Sequence, residues 1–463
     1  MVICTGLRFL KVMAIARLLT PHDFGIMAIV ISVTGFLQIF ADLGVGAAIV
    51  HYRDISQREL SSLYWLNIAV GVILTLLLVC GSHPISVWIY HKPEIEPVLL
   101  LMSTNFLVVA MGQQLRTVAE KTLQFSAVSK IDIVAVLVGG VTAVIWAWWA
   151  PSVYPLVADT LINSVVQTVL LWLFASRGWR PDFHLQISEV KKFLKFGAYM
   201  LASGFVNNAN RGADILVGGR FLPAASLGAY SLPRNFCSNI LGITNSTLTR
   251  VGFPMMAKAQ EDKAFLKSVY LKTLRMTASV NFPIYLAVAV FARDVTIVLF
   301  GAKWVNSAPL LVFLAMWAMF RSCGNPSSSL IYAVGKARLA FWWNVVQLLV
   351  VFPVAWISSH YGVEGLAIGQ LAFMVGMLIP TWYVLIRPNC GARLGEYMLT
   401  FLSPLATAFF AVFVAHWAVM AWSIPIWRLA GMMLVAVPVY LLASMVTNRT
   451  WVAAMQQLVL RRA

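Results

Sequence analysis

Apolar stretches near the length of a membrane span recur along this 463-residue chain from residue 3 to residue 446. A bilayer core of ~30 Å needs ~20 apolar residues in a helix. That core holds no water to satisfy free backbone N–H and C=O groups, so only helices and closed barrels cross it. A barrel would show short segments of alternating polarity, whereas the runs here are unbroken. The pattern predicts an all-α, polytopic membrane protein. Only 11% of the residues are charged and 60% are hydrophobic, against roughly 25% charged in soluble domains. Read in order, the runs give about fourteen transmembrane helices, from 3–18 to 427–446.

The basic residues set an orientation. Of the 34 Lys and Arg, 23 fall in loops on the side of the N-terminus, 6 in loops on the opposite side and 5 within spans. Cytoplasmic loops carry the excess of Lys and Arg, so both termini are expected in the cytoplasm. The net charge of +17 thus reads as loop placement. No aromatic-studded basic domain stands outside the membrane, and nucleic acid is not expected as a partner. The five cysteines are scattered, with neither metal spacing nor a disulfide framework. No cleavable signal peptide is expected. The first span is short and interrupted by Arg8, Lys11 and Arg17. Either it lines a cavity, or the natural start lies upstream of Met1.

The chain also repeats itself. Arg8 and Arg211 lie 203 residues apart, as do Arg17 and Arg220; Gly25 falls on Gly228 and Asp42 on Asn245. One helix-loop-helix is therefore expected twice, in the same direction. Polar residues concentrate on the two leading helices of each copy. Thr34, Gln38 and Asp42 form one stripe; Asn207, Arg211 and Asp214 a second; Arg234, Ser238 and Asn245 a third; Arg8 and Lys11 stand three apart. A charge at mid-bilayer costs roughly 2.5–3.5 kcal/mol on insertion scales. The cations Arg8, Lys11, Arg211 and Arg234 outnumber the candidate acids Asp42, Asp214 and Asp159. That excess points to a water-filled cavity prepared for an anion, with the four cations as candidate substrate ligands. Internal pairing is the competing reading: Arg211 with Asp214, or Lys11 with Asp42. Asp42, Asp214 and Asp159 are the candidates for charge pairing or ion coupling. Arg321 adds a fifth buried cation, for which a local structural role is as good a reading. No phosphate loop, Walker lysine, nucleophile elbow or metal cluster is present. Neither catalytic residues nor a cofactor are expected.

Several stretches resemble a known family. Ala16-Arg17-Leu18-Leu19-Thr20-Pro21-His22-Asp23-Phe24-Gly25, Phe40-Ala41-Asp42-Leu43-Gly44, Leu227-Gly228-Ala229-Tyr230-Ser231, Phe253-Pro254 with Gln260-Glu261-Asp262, and Leu299-Phe300-Gly301-Ala302-Lys303-Trp304 resemble, in order and spacing, motifs of the Wzx-type lipid-linked oligosaccharide flippases. These are polysaccharide transporters of the multidrug/oligosaccharidyl-lipid/polysaccharide exporter (MOP) superfamily. The likeness runs from near residue 5 to about 340 and then weakens. It implies two parallel six-helix lobes around a central cavity, plus two C-terminal helices. The divisions are then 1–175, a cytoplasmic linker at 176–195, 196–388, and 389–463; within the linker, the residues from Ser188 to Lys195 themselves read as a capped amphipathic helix at the membrane surface. It also implies that undecaprenyl-diphosphate-linked sugar repeats are moved across the bacterial inner membrane. The implied partners are the lipid-linked oligosaccharide, membrane lipids, a polysaccharide polymerase and a chain-length regulator.

Three rivals remain open. A cation-coupled multidrug exporter of the same superfamily would need an acidic, apolar cavity. A membrane glycosyltransferase or polymerase would need a sizeable external loop, which is absent. A non-transporting scaffold of a polysaccharide assembly complex is the third. The orientation has a direct check. Reporter fusions at 185 and 463 should read cytoplasmic, and fusions near 90 and 298 external; an external reading at 185 would overturn the lobe assignment.

Overall fold

A computed structural model of the protein describes residues 2–41, 46, 48–49, 52, 55–175 and 179–447. Every regular element among them is helical. The first half contains α1 (Val2–Leu18), α2 (Pro21–Ala41), α3 (Gln57–His83), α4 (Ile95–Lys121), α5 (Phe125–Trp149), α6 (Tyr154–Leu170) and α7 (Ile187–Phe221). The second contains α8 (Ala224–Lys258), α9 (Lys263–Val290), α10 (Ala292–Phe300), α11 (Ala308–Ser322), α12 (Gly324–Ala333), α13 (Ala337–Ser359), α14 (Gly362–Gly376), α15 (Leu394–Val419) and α16 (Pro425–Thr447). Eleven spans among the described residues are long and apolar enough to cross a membrane. Four helices fall outside that set: α1, with 17 residues, α7 and α8, with 35 each, and the 9-residue α10. Of these, α1, α7 and α8 carry Arg8, Lys11, Arg211, Asp214 and Arg234.

The chain divides into two compact units. Residues 1–228 with 347–352 form the first, and 229–346 with 353–463 the second. In the first unit α3 packs on α4, α5 on α6, α1 on α5, and α2 on α7. In the second, α9 packs against α11, α12 and α15, α11 against α14, and α15 against α16.

Local sequence explains where several helices start. Thr20 precedes Pro21 and stands three residues before Asp23. The Thr20 backbone N–H and hydroxyl both donate to the Asp23 carboxylate, at 3.0 and 2.6 Å, and Pro21 takes the first helical turn, where its missing N–H costs nothing. Ser56 and Glu59 form the same kind of reciprocal box at the start of α3. Asp262 accepts from the backbone N–H groups of Ala264 and Phe265 to begin α9.

Segment 188–195, expected as a capped helix on the membrane surface, runs unbroken into α7. Its N-cap is Gln186, with no side-chain cap hydrogen bond. No proline interrupts residues 187–221, so nothing ends the helix where the chain enters the membrane. The residues before it are tied to α3. Gln57 donates to the Arg180 carbonyl at 2.6 Å, Trp65 Nε1 donates to the Asp182 carbonyl at 2.8 Å, and the Asp182 N–H donates to Ser61 Oγ at 3.0 Å. Phe183 stacks on Trp65 with ring centroids 5.2 Å apart.

The 203-residue repeat is visible as a reciprocal contact inside the first unit. A Cβ on Gly25 would overlap the Ala224 carbonyl; a Cβ on Gly228 would overlap the Pro21 carbonyl. Ala224 is Pro21 displaced by 203 positions, and Gly228 is Gly25 displaced likewise. The starts of α2 and α8 thus touch backbone to backbone, each glycine admitting the other copy. Alanine at either glycine forces the helix ends apart, and overpacking costs about 1–3 kcal/mol. Thermal unfolding of purified Gly25→Ala and Gly228→Ala should show similar losses. Gly35→Ala, where a Cβ meets nothing within 4 Å, should not lose stability. Equal stability of Gly25→Ala and Gly35→Ala would refute the contact.

Candidate functional site

The charged residues on the leading helices take different surroundings. Arg8, on α1, is exposed. Lys11, one turn along, donates to both carboxylate oxygens of Asp159 on α6, at 2.9 and 2.7 Å. The two side chains retain only 16% and 15% exposure. The pair fits because α5 presents Gly139 and Gly140 to it. A Cβ on Gly140 would come within 2.8 Å of Lys11 Cδ, and one on Gly139 within 2.8 Å of the Asp159 carbonyl. Lys11 and Asp159 are 148 residues apart, and sequence spacing gave no sign that they meet. Asp42, the other acid considered for Lys11, lies outside the described residues.

On α7, Arg211 and Asn207 are exposed, while Asp214 is 2% exposed. The repeat-equivalent arginines Arg8 and Arg211 are therefore both solvent- or lipid-accessible within the first unit. Asn208 Nδ2 donates to the Gly35 carbonyl of α2 at 2.9 Å, and Phe205 packs edge-on against Phe36 at 4.6 Å. These contacts hold the polar stretch of α7 against α2. Thr34, expected on the polar stripe of α2, donates to the Val30 carbonyl of its own helix at 2.8 Å.

In the second unit Arg234 is 9% exposed. Its guanidinium lies 5.6 Å from the ring centroid of Trp317, and Arg321 lies 5.0 Å from the same ring. Trp317 was one of many scattered tryptophans in the sequence. The usable signal was its spacing: Trp317 and Arg321 stand four apart, on one face of α11. Asp132, on α5, is bonded from two neighbouring helices. Arg116 holds it bidentately at 3.0 and 3.0 Å, and Gln167 donates to it at 2.6 Å, knitting α4, α5 and α6 together.

The loop between α3 and α4 closes over the end of α7. Lys92 Nζ donates to the Gly219 carbonyl at 2.6 Å, and Arg220 donates to the carbonyls of Trp88 and Ile89. Burial pushes the Lys92 ammonium below the usual lysine range, with the nearby Glu94 charge opposing the shift. Among the described residues no group of three His, Cys, Asp or Glu could hold a metal ion.

Breaking the Lys11–Asp159 pair should leave a carboxylate stranded among apolar helices. Removing one member of a buried pair costs up to about 3–5 kcal/mol, whereas removing both is often close to neutral. Lys11→Gln should lower the thermal stability of the purified protein, and Lys11→Gln/Asp159→Asn should recover most of the loss. A double variant no better than the single would show that the pair is not the reason for the cost.

Residues 14–309 match the family model described as "Polysaccharide biosynthesis protein". The chain is 30% identical to the lipopolysaccharide biosynthesis protein WzxC of Escherichia coli (strain K12), over 87% of this chain and 82% of that protein. It is also 30% identical to the teichuronic acid biosynthesis protein TuaB of Bacillus subtilis (strain 168), over 76% of this chain and 75% of that one. In fold it is similar to the lipid II flippase MurJ in an inward closed conformation, with TM-score 0.77, 14% identity, and coverage of 96% of this chain and 97% of that one. A multidrug resistance transporter of the MATE family, inward-facing, matches with TM-score 0.60, 15% identity, and coverage of 88% and 94%. The chain belongs to the polysaccharide biosynthesis protein family, as a multi-pass membrane transporter of the Wzx type rather than an enzyme.

Proposed function

We propose that this protein flips undecaprenyl-diphosphate-linked oligosaccharide repeat units from the cytoplasmic to the periplasmic leaflet of the bacterial inner membrane. The product would feed exopolysaccharide, capsule or O-antigen synthesis. The observation that carries this reading is the charge of the leading helices. Arg8 and Arg211 occupy equivalent positions of the two repeats and are accessible, while Lys11 is held by Asp159. The names of WzxC and TuaB, which place those relatives in the biosynthesis of lipopolysaccharide and teichuronic acid, support the substrate class.

The physical difficulty is the head of such a lipid. Two phosphate charges and a row of sugar hydroxyls would cost tens of kcal/mol to pass through hydrocarbon. A wet, cationic path removes most of that cost, while the polyprenyl tail stays in lipid. Alternating access then delivers the head to the far side. Two uncompensated negative charges moving outward gain roughly 4.6 kcal/mol at about 100 mV, from about 2.3 per charge. Chemical energy is not required on this account. Ion coupling through Asp214 or Asp42 is an open addition to it, and Asp42 aligns with the neutral Asn245. A multidrug exporter handling cations would be served poorly by arginines at these positions.

Arg8 and Arg211 are assigned to the diphosphate, because a guanidinium fork bonds phosphoryl oxygens bidentately. In liposomes loaded with a lipid-linked oligosaccharide, Arg8→Gln or Arg211→Gln should slow flipping about tenfold or more, roughly the loss of one charged hydrogen bond. Lysine should restore only part. The competing reading is that Arg211 serves only to balance Asp214. Arg211→Gln/Asp214→Asn separates the two, and recovery of near-normal flipping at matched protein levels would remove Arg211 from the list of substrate ligands.

A further inference from the structure

Where α9 ends and α11 begins, the second unit holds an open pocket of about 530 Å³. That volume lies within the ~300–1,000 Å³ usual for small-molecule sites. Its walls are Val290 at the end of α9, Arg293 of α10, Val305 and Asn306 of the 3-10 segment Ala302–Ser307, and Pro309 and Val312 of α11, with alanines between them. Arg293 is the one charged residue of this lining among the described residues. Its side chain is exposed and, among the described residues, has neither a hydrogen bond nor an ion pair. The next residue does not neutralise it. Asp294 is 6% exposed, and Arg428 of α16 holds its carboxylate at 3.2 and 3.3 Å. Asn306 is exposed beside Arg293 in the same lining and brings an amide N–H₂.

The depth of the pocket narrows what it can take. The membrane span Lys263–Val290 ends here and the span Ala302–Ala333 begins here. Half of a ~30 Å hydrocarbon core separates such a point from the mid-plane, so the pocket stands at the level of lipid headgroups. Basic pockets at the ends of membrane helices suit such headgroups. A guanidinium fork bonds two phosphoryl oxygens at once. The rest of the wall is apolar, and Val290 is 45% exposed. A free phosphate ion would leave most of the volume to water and gain nothing from the valines. A phospholipid brings a phosphodiester to Arg293 and hydrocarbon to Val290, Val305 and Val312 in one molecule.

We propose that this pocket binds the headgroup of an anionic phospholipid of the surrounding bilayer. Arg293 and Asn306 bond the phosphodiester oxygens, and the three valines line the first carbons of an acyl chain. The site lies at the edge of the membrane and concerns a bilayer lipid, not the cargo. It therefore stands apart from the transport reading and from the cations of the leading helices.

Native mass spectrometry of the full chain, purified in detergent and stripped of lipid, tests this by titration. The probes are dioctanoyl phosphatidylglycerol, dioctanoylglycerol, which has the same chains without phosphate, and inorganic phosphate as a competitor. Wild type should retain phosphatidylglycerol and bind dioctanoylglycerol far more weakly, and an equal concentration of phosphate should not displace the lipid. Arg293→Gln should weaken phosphatidylglycerol about tenfold, roughly one charged hydrogen bond, and Arg293→Lys should weaken it less. Asn306→Trp keeps the charge but fills the pocket, and should also weaken the lipid about tenfold. Arg338, an exposed arginine beyond the opposite end of the span Ala302–Ala333, supplies the control: Arg338→Gln should bind as wild type does. Both pocket substitutions fall on exposed residues, and thermal unfolding without lipid should match wild type. If Asn306→Trp fails to fold, Asn306→Ala should still weaken the lipid about threefold. Four results overturn the site: no retention by wild type, equal retention by Arg293→Gln, an equal loss in Arg338→Gln, or dioctanoylglycerol bound as tightly as phosphatidylglycerol. Displacement by equimolar phosphate overturns the lipid as its occupant.

Discussion

Hydrocarbon solvates neither a peptide group nor a charge, and most of what is unusual in this chain follows from that. Backbone groups are satisfied within helices, so the chain becomes a series of them. Side-chain charges have fewer remedies: they stand at helix ends, meet an opposite charge, or reach water. Each remedy is in use here. Asp262 and Glu59 sit at helix starts. Asp132 is gripped by Arg116 and Gln167 across three helices. Lys11 and Asp159 share a slot cut by two adjacent glycines of α5. Arg8 and Arg211 stand in exposed positions.

The helical class and the repeat were legible because they are written as periods, which are local or nearly so. The motif from Ala16 to Gly25 was legible as a family mark, and the structure supplies its physics. Thr20 and Asp23 cap α2, Pro21 opens it, and Gly25 admits another helix at contact distance. Partner choice was not legible. Lys11 meets Asp159 because α1 packs against α5 and α5 against α6, a matter of neighbours that spacing along one helix cannot express. The same holds for Arg234 and Trp317, which belong to helices separated by α9 and α10. The continuity of α7 through segment 188–195 was missed for a different reason. A basic, amphipathic stretch looks like a surface element, but a helix ends only where a residue or a contact ends it.

Fold and charge carry separate information. The likeness to MurJ and to a MATE transporter, at 14% and 15% identity, shows that one helical frame is shared by proteins whose named cargoes are unlike. A frame of this kind does not determine a cargo. What differs is the set of side chains set into it, and here the leading helices of both repeats bring arginine where a carrier of cations would be better served by acids.

The contact between the starts of α2 and α8 has a further meaning. When residue i of one copy touches residue j of the other, and j of the first touches i of the second, the geometry is that of an isologous interface between two identical subunits. Here the two subunits are halves of one polypeptide. Pro21 against Gly228 and Ala224 against Gly25 are the two equivalent contacts of such a dimer, joined by the connecting chain. Were the halves separate copies of one chain, a single codon would supply both glycines and one mutation would damage both contacts at once. In one polypeptide the two positions are coded separately. Pro223 and Ser226 stand in the second copy where Thr20 and Asp23 stand in the first, yet glycine stands in both copies at the crossing, where a Cβ would overlap the facing carbonyl.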